Sequence, residues 1–321
     1  MIFQLHSITM RKHLLLYFIL LIGFISCRAD KVVEKKYKTK YVIVLVVDGP
    51  RYSETWGDTS HQYIPFMHNV LAPQGVVHNQ FYTQGETHTT SGHAALSTGI
   101  YQSINNGGQE LPIRPSFFQH WLKQHPDDKS LAWIIASKDK LEVLSNCTEY
   151  GWKDKFRPSV DCGNAGLATG YRHDSLTQIK VMSTLQNNHP HLLLVNYREP
   201  DFSGHAGNWK GYLKGILKTD EYVHAIWQFI QNDPFYKDNT TLFVTNDHGR
   251  HLDGISNGFV SHGDNCEGCR HINLYSFGPD FKKDLVSPIN RNLVDVHATI
   301  LELLHIRGSF TEGNVMTELF N

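Results

Sequence analysis

The stretch YVIVLVVD, residues 41–48, decides the fold. Its first seven residues are apolar or aromatic without an alternating polar position, which is typical of a strand buried on both faces of a parallel sheet. The run ends in Asp48, and the carboxyl ends of such strands are where α/β sheets bind their ligands. Asp48 is therefore a candidate site residue, although an Asp here could also cap the turn that follows.

Further apolar runs of strand length alternate with longer amphipathic segments. Candidate strands are 76–82, 131–136, 192–196, 241–245 and 272–277, and candidate helices are 65–71, 90–97, 115–124, 174–187, 209–232 and 293–304. This alternation predicts a three-layer α/β fold, with a mostly parallel central sheet and helices on both faces. A single domain is expected over 41–321, with 146–171, rich in Gly, Asn, Asp and Pro, inserted as a loop or cap.

Composition excludes some functions. The 321 residues include 30 basic and 31 acidic side chains, a net charge of −1. Such a balance creates no field to attract nucleic acid or an anionic membrane surface. Histidine is abundant, at 20 residues, so an isolated His is weak evidence for a metal site, and only His beside Asp at a strand end counts.

The N-terminal sequence predicts export. Basic residues 11–13 precede an apolar run over 14–25, which is the pattern of a signal peptide and is short for a membrane-spanning helix. The run ends in Phe-Ile-Ser-Cys, which resembles a bacterial lipoprotein box with Cys27 as the lipidated residue. The alternative is an ordinary signal peptide with an incidental Cys. We expect a signal peptide over 1–27, a tether over 28–40, and a lipid anchor that holds the protein in the periplasm or at the cell surface.

Four cysteines remain after Cys27. An even number in an exported chain favours disulfides, and we expect Cys147 to pair with Cys162 and Cys266 with Cys269. The Cys-Glu-Gly-Cys segment could instead be half of a zinc knuckle, although no second such segment exists.

Metal-ligand residue types follow the predicted strands at several points. Besides Asp48 they are Asp201 and His205 in Glu-Pro-Asp-Phe-Ser-Gly-His, Asp247 and His248 after strand 241–245, and His262 in Ser-His-Gly-Asp. A hydroxyl-rich run, residues 87–99, precedes a predicted helix. Carboxylates, imidazoles and a hydroxyl nucleophile are the groups that metal-assisted ester hydrolysis needs. The Asp247–His248 pair could otherwise be a buried ion pair.

In this order the segments resemble the alkaline phosphatase superfamily, and most closely its nucleotide pyrophosphatase/phosphodiesterase branch. The resemblance covers roughly residues 41–281 and implies two divalent metals, zinc or else manganese. It implies that one metal is held by Asp201, His205 and His262. The other would be held by Asp48, Asp247, His248 and the nucleophile.

The resemblance also selects the nucleophile. In the family it lies ten residues before the Gly of a Leu-x-Thr-Gly-x-Tyr segment, which here is Gly99, and this spacing points to Thr89. The neighbouring hydroxyls of Thr87, Thr90 and Ser91 are the alternatives. Sulfatase activity is not expected, because that branch needs a Cys or Ser matured to an aldehyde, followed by Pro and Arg that this chain lacks.

One position departs from the diesterase pattern, and two nearby basic residues, Lys138 and Arg250, could each reach substrate phosphate or be solvated. Gly92 stands where that branch usually carries an Asn that contacts phosphate, so this contact is absent or comes from a backbone N–H. Lys138, in a charged Ser-Lys-Asp-Lys segment, is expected to be solvated. Arg250 after Asp-His-Gly is equally compatible with a substrate contact and with solvent.

These observations predict an exported hydrolase of small phosphate esters, either a phosphodiesterase or a phosphatase. One alternative is a phosphotransferase or phosphomutase with the same metals. Another is a non-catalytic surface-binding lipoprotein, which the complete set of ligand types disfavours.

Overall fold

The computed structural model describes residues 36–126, 128–308 and 310–321. The predicted signal peptide, Cys27 and most of the predicted tether lie outside these ranges. Within them, the strands are β1 (Tyr41–Asp48), β2 (Val76–Tyr82), β3 (Ala132–Ala136), β4 (Ser159–Cys162), β5 (Leu192–Pro200), β6 (Thr240–Thr245), β7 (His271–Phe277), β8 (Leu285–Ser287) and β9 (Arg291–Asn292). The α-helices are α1 (Thr89–Thr98), α2 (Phe117–Gln124), α3 (Asp174–Asn188), α4 (Asp201–His205), α5 (Trp209–Asn232), α6 (Glu267–Arg270) and α7 (Leu293–Leu303).

All nine of these strands join one sheet in the order β4-β3-β5-β1-β6-β7-β2-β8, with β9 beside β2. The strands from β4 to β6 run parallel, whereas β7 is antiparallel to both β6 and β2. The predicted α/β architecture with a mostly parallel sheet is confirmed. Because β1 lies between β5 and β6, the carboxyl ends of the three strands meet at one edge.

Strand β1 is buried along its whole length because both faces of the sheet are covered. Val42, Val44 and Val46 point into one core, which includes apolar residues of α1, α2 and α7. Ile43 and Leu45 point into the other, which includes residues of α3 and α5. This explains the uninterrupted apolar sequence of β1, since alternate side chains serve two separate helical layers.

The structure corrects two predicted elements. The predicted helix 65–71 is a π-helical turn, Met67–Leu71, whose start is capped by the Asp220 carboxylate, which accepts from the Phe66 and Met67 amides at 2.8 Å. The predicted loop or cap at 146–171 also contributes β4, which extends the sheet beyond β3. The four residues of β4 do not form a continuous apolar run, because this strand lies at the edge of the sheet.

The expected disulfides are wrong, because all four described cysteines are free thiols. Cys162 ends β4 with Sγ directed toward the carbonyl of Ile134, at 3.9 Å. Cys147 instead lies beside Gln119 and Glu149, so these two thiols have different surroundings. Cys266 and Cys269 occupy a single helical turn.

The last residues of the predicted tether pack on the domain. Asp280 accepts hydrogen bonds from the amides of Lys38 and Thr39, each at 2.9 Å, and from the Thr39 hydroxyl at 2.7 Å. Among the described residues, no helix has the length and apolar character needed to cross a membrane.

Helix α1 is buried at every position and packs directly on the chain that follows β6. A Cβ added at Gly92 would lie 2.3 Å from the carbonyl oxygen of Asp247. A side chain at this position therefore cannot be accommodated without separating the helix from the sheet edge. The absence of the family's Asn at Gly92 follows from this close approach.

We expect Gly92→Ala to lower the free energy of unfolding by about 1–3 kcal/mol, because the added methyl group overpacks a backbone contact. Urea unfolding followed by circular dichroism measures the change. Ile179→Ala, on the exposed face of α3, is the control and should stay within about 0.5 kcal/mol of the parent. Parental stability of Gly92→Ala would show that α1 can move away from β6 at little cost.

Candidate active site

Three neighbouring parallel strands deliver carboxylates to one edge of the sheet. Asp48 ends β1, Asp201 follows β5, and Asp247 follows β6 after one residue. All three carboxylates are buried, with 0–2% of each residue exposed. The predicted convergence of these distant segments is therefore present in the structure.

The first predicted ligand group is assembled. Asp201, His205 and His262 each offer a ligand atom within 4.8 Å of the others. Asp201 Oδ1 lies 3.4 Å from Nε2 of both histidines, and the two Nε2 atoms are 3.0 Å apart. One carboxylate oxygen and two imidazole nitrogens thus surround a single point, as expected for the ligands of a divalent cation.

Backbone carbonyls fix the tautomers of two histidines. Nδ1 of His248 lies 2.9 Å from the Gly249 carbonyl, and Nδ1 of His262 lies 2.7 Å from the Thr87 carbonyl. A carbonyl oxygen only accepts hydrogen bonds, so each Nδ1 carries the proton. Each Nε2 is left with a lone pair directed into the site, which is the form that binds metals.

The second ligand group differs slightly from the predicted one. Asp48, Asp201 and His248 place ligand atoms within 4.8 Å of one another. Asp247 is adjacent, since its Oδ2 lies 3.4 Å from His248 Nε2. Both of these buried atoms lack a hydrogen-bond partner among the described residues. Buried polar atoms are rarely left unpaired, and a bound cation would satisfy both, so the donor set fits divalent metal ions.

Lys138 lies inside this site, contrary to the expectation that it is solvated. Its Nζ donates to Asp48 Oδ1 at 2.8 Å, to Asp201 Oδ2 at 2.7 Å and to Thr89 Oγ1 at 3.1 Å. Only 1% of the residue is exposed. Lys138 follows β3, the neighbour of β5, so the strand-end rule that located Asp48 also applies to it. The surrounding charged residues obscured this signal.

Arg250 is also a buried part of the site, with 0% of the residue exposed. Its guanidinium donates through Nη1 to Asp201 Oδ1 and through Nη2 to the Val260 carbonyl at 2.8 Å. It therefore fixes the Asp201 carboxylate and joins it to the loop before His262.

Burial and neighbouring charges shift the pKa values of several side chains in the site. Burial and the nearby charge of Asp247 raise the pKa of Asp48 to about 7. Burial alone would also raise the pKa of Asp201, but Lys138, His262 and Arg250 outweigh it and hold this pKa well below its usual value. Burial holds the pKa of His248 well below its usual value, so this imidazole is neutral and available as a ligand at neutral pH.

The hydroxyls near the start of α1 differ in their partners. Thr87 Oγ1 donates to the Asp264 carbonyl at 2.8 Å, Thr90 Oγ1 to Asn106 Oδ1 at 3.1 Å, and Ser91 Oγ to Glu86 Oε2 at 3.1 Å. Thr89 Oγ1 instead meets Lys138 Nζ. Among the four candidates, Thr89 is the one whose hydroxyl contacts the cation shared with Asp48 and Asp201.

A cavity of about 510 Å³ opens onto these groups. The cavity is lined by Thr89, Lys138 and the ligand-type residues Asp201, His205 and His262. Its other lining residues include Tyr171, Phe202, Lys140 and Asn106. Lys140 Nζ donates to Asn106 Oδ1 at 2.9 Å. Tyr171 comes from the segment predicted to be a cap.

A family model described as the Metalloenzyme superfamily matches residues 133–307, which is more than half of the chain. The chain belongs to this superfamily. The match contains Lys138 and the ligand-type residues from Asp201 to His262.

Curated relatives match short parts of the chain. A 2,3-bisphosphoglycerate-independent phosphoglycerate mutase of Ureaplasma urealyticum is 38% identical over 58 residues, 18% of this chain and 11% of the mutase. One from Gracilaria tenuistipitata is 29% identical over 131 residues, 39% of this chain and 23% of the mutase. The chain thus spans less than a quarter of the length of either relative.

Solved structures match nearly the whole described domain. Murine ectonucleotide pyrophosphatase/phosphodiesterase 5 superposes with a TM-score of 0.62 at 15% identity, over 88% of this chain and 100% of that chain. An alkaline phosphatase superfamily protein from Vibrio parahaemolyticus has a TM-score of 0.62 at 13% identity, over 90% of this chain and 72% of that chain. The alkaline phosphatase-like fold predicted from the sequence is confirmed.

We expect Lys138→Ala to lower the free energy of unfolding by about 3–5 kcal/mol in the presence of a chelator, because buried carboxylates lose their counter-charge. Added zinc should restore part of the loss, since a bound cation replaces the ammonium group. Urea unfolding with chelator and with zinc measures both effects. Lys214→Ala, on the exposed face of α5, is the control, and equal stability of the two variants in chelator would contradict the role of Lys138.

Proposed function

We propose that this metalloenzyme hydrolyses phosphate esters, with Thr89 as the covalent nucleophile. The observation that carries the proposal is the position of Thr89 Oγ1, which contacts Lys138 Nζ at 3.1 Å beside a buried set of metal-ligand residues. The metal ligands in this proposal are Asp48, Asp201, His205, Asp247, His248 and His262, together with Thr89.

The first step follows from the position of Thr89. Its Oγ1 transfers its proton to water and attacks phosphorus, and the ester oxygen departs with the electron pair of the broken P–O bond and takes up a proton from water. The Lys138 ammonium stabilises the Thr89 alkoxide by charge and by its hydrogen bond. Water then cleaves the phosphothreonine and releases phosphate or a phosphomonoester.

The proposed metals are zinc, or else manganese, because oxygen and imidazole ligands suit both. Bound divalent ions would lower the pKa of the Thr89 hydroxyl and of water and withdraw charge from the phosphoryl oxygens. The unpaired Asp247 Oδ2 and His248 Nε2 support their presence.

Further groups of the cavity suit the transferred phosphoryl group. The Thr90 amide in the first turn of α1 donates to Asn106 Oδ1 at 3.0 Å, which holds the Asn106 side chain beside Thr89. Lys140 and Asn106 line the same cavity, and burial lowers the pKa of Lys140 to about 8. We propose that the Asn106 side chain supplies the contact that an Asn at position 92 makes in related diesterases.

Named neighbours support a phosphate-ester substrate. The murine protein is inactive with one threonine replaced by alanine, and the structure of this variant is known in complex with AMP. A neighbour from Silicibacter pomeroyi is a phosphonate monoester hydrolase, with a TM-score of 0.59 at 15% identity. The murine variant favours a threonine nucleophile for this chain, and both neighbours favour a small substrate that contains phosphorus.

Thr89→Ala should reduce hydrolysis of 4-nitrophenyl phosphate and of bis-4-nitrophenyl phosphate by about 10³-fold or more while retaining metal, because the nucleophile is lost. Thr90→Ala, which removes only a hydrogen bond to Asn106, should lose about tenfold at most. Nitrophenol release and metal analysis measure these effects. Faster hydrolysis of the monoester by the parent protein indicates a phosphatase, and faster hydrolysis of the diester indicates a phosphodiesterase.

Substitution of a proposed metal ligand should have a different effect from Thr89→Ala. Asp247→Ala and His205→Ala should lose metal as well as activity, since each removes a permanent ligand. Full activity of Thr89→Ala would overturn the nucleophile assignment, and full activity of the metal-stripped protein would overturn the metal-assisted mechanism.

A second candidate is transfer of the phosphoryl group to an organic acceptor, which the similarity to phosphoglycerate mutases favours. The same phosphothreonine would then react with an acceptor hydroxyl instead of water. Adding glycerol to the assay with 4-nitrophenyl phosphate and comparing released nitrophenol with inorganic phosphate separates the two activities. Equal amounts indicate hydrolysis, and a deficit of phosphate indicates transfer.

We also propose that Cys27 is lipidated and anchors the domain to the outside of a bacterial membrane. The proposal rests on the basic and apolar pattern of residues 11–26 before this Cys. Because acyl chains would supply the membrane affinity, Cys27→Ala should move the protein from the membrane fraction to the soluble periplasmic fraction. An unchanged distribution in cell fractionation would refute the anchor.

A further inference from the structure

A second cluster of ligand-type side chains lies outside the aspartate–histidine site. His251, Asp264, Cys266 and Cys269 each direct one ligand atom to a common point, with all four atoms within 4.8 Å of one another. We call this group the thiol cluster. It contains two sulfur atoms, one imidazole nitrogen and one carboxylate oxygen.

Local backbone structure brings the two thiols together. Cys266 immediately precedes α6, and the amide of Cys269 donates to the Cys266 carbonyl at 3.1 Å. Residues three apart on a helical turn share one face, so both sulfurs point the same way. This Cys-x-x-Cys spacing is common among zinc sites.

The imidazole of His251 is oriented with one ring nitrogen toward the thiol cluster. Its Nδ1 lies 3.0 Å from Ser261 Oγ, which leaves Nε2 facing the cluster. Nε2 is buried and makes no hydrogen bond of acceptable geometry among the described residues, although Asp264 Oδ2 lies 2.9 Å away. This nitrogen and this carboxylate oxygen face the same point as the two thiols.

The carboxylate of Asp264 is oriented in a similar way. Its Oδ1 accepts from the Cys266 amide at 2.9 Å, so Oδ2 is the oxygen available to the cluster. The side chain of Asp264 is 54% exposed, whereas Cys269 is fully buried. The cluster is thus open to solvent on the side of Asp264 and the half-buried Cys266.

We propose that the thiol cluster binds one structural zinc ion. Tetrahedral zinc has Zn–S distances near 2.3 Å and Zn–N distances near 2.0–2.1 Å, so its ligands stand about 3.3–3.8 Å apart. The four ligand atoms lie within 4.8 Å of one another. The 2.9 Å between His251 Nε2 and Asp264 Oδ2 is shorter than the spacing of zinc ligands, so metal binding requires a small outward movement of the exposed Asp264 carboxylate. Four protein ligands complete the coordination and leave no open position for substrate, which is typical of a structural site.

The ion would fasten the loop that carries His262. Asp264 lies two residues after His262, and its carbonyl accepts from Thr87 Oγ1 at 2.8 Å. The carbonyl of Cys269 accepts from the Gly249 amide at 2.8 Å. Zinc would therefore join three segments, those of His248, His262 and Thr87, and keep their relative positions.

Cobalt substitution tests this site separately from the aspartate–histidine site. Thiolate ligands give Co²⁺ an intense near-ultraviolet sulfur-to-metal charge-transfer band, which ligands without sulfur cannot produce. We expect this band in the cobalt-loaded full chain. We also expect it to persist in His205→Ala, which changes the aspartate–histidine site only.

Cys266→Ser and Cys269→Ser should abolish the band and lower the zinc content by one ion per chain. Cys147→Ser and Cys162→Ser, at the other two described thiols, are matched controls that should keep both. Circular dichroism verifies that each variant is folded, and the spectrum of the parent protein tests the proposal even where a variant is not. Absence of the band in the parent, or a Cys266–Cys269 disulfide in its non-reduced mass spectrum, would overturn the site.

Discussion

The structure depends on holding three carboxylates together away from water. Asp48, Asp201 and Asp247 converge because β1, β5 and β6 are parallel neighbours, and their mutual repulsion is strong in a buried environment. Ionised groups are tolerated in such a place only with opposite charges and hydrogen bonds around them. Every other part of the site can be understood as a response to this constraint.

The chain supplies part of the compensation itself. The ammonium of Lys138 bridges two of the carboxylates, and Arg250 binds Asp201 from the other side. Asp247 has no lysine or arginine contact of this kind among the described ion pairs, and its Oδ2 faces the Nε2 atom of His248. The site thus combines fixed organic cations with positions that suit a metal cation, and the balance between them governs both folding and chemistry.

The sequence was informative where a single physical rule applied. Buried parallel strands have continuous apolar sequences, so β1, β5 and β6 and the residues at their ends could be located, including Asp48. The rule failed for β4, because an edge strand needs little apolar sequence, and for Lys138, because a charged segment on the surface and a buried cation look alike in sequence. Cys266 and Cys269 were misassigned because spacing alone cannot distinguish a disulfide from thiols that face a histidine. Their true neighbours, His251 and Asp264, come from folding rather than from adjacency in the sequence.

The contact between Gly92 and the backbone of Asp247 also limits relative motion. The helix that carries Thr89 and the chain that carries Asp247 approach each other through backbone atoms, so neither can shift without the other. Substitutions that would move Thr89 relative to Asp247 therefore disturb both elements. Tyr171, Phe202 and Lys140 come from separate segments that line the cavity, so these side chains can be exchanged while the spacing between Thr89 and Asp247 is kept.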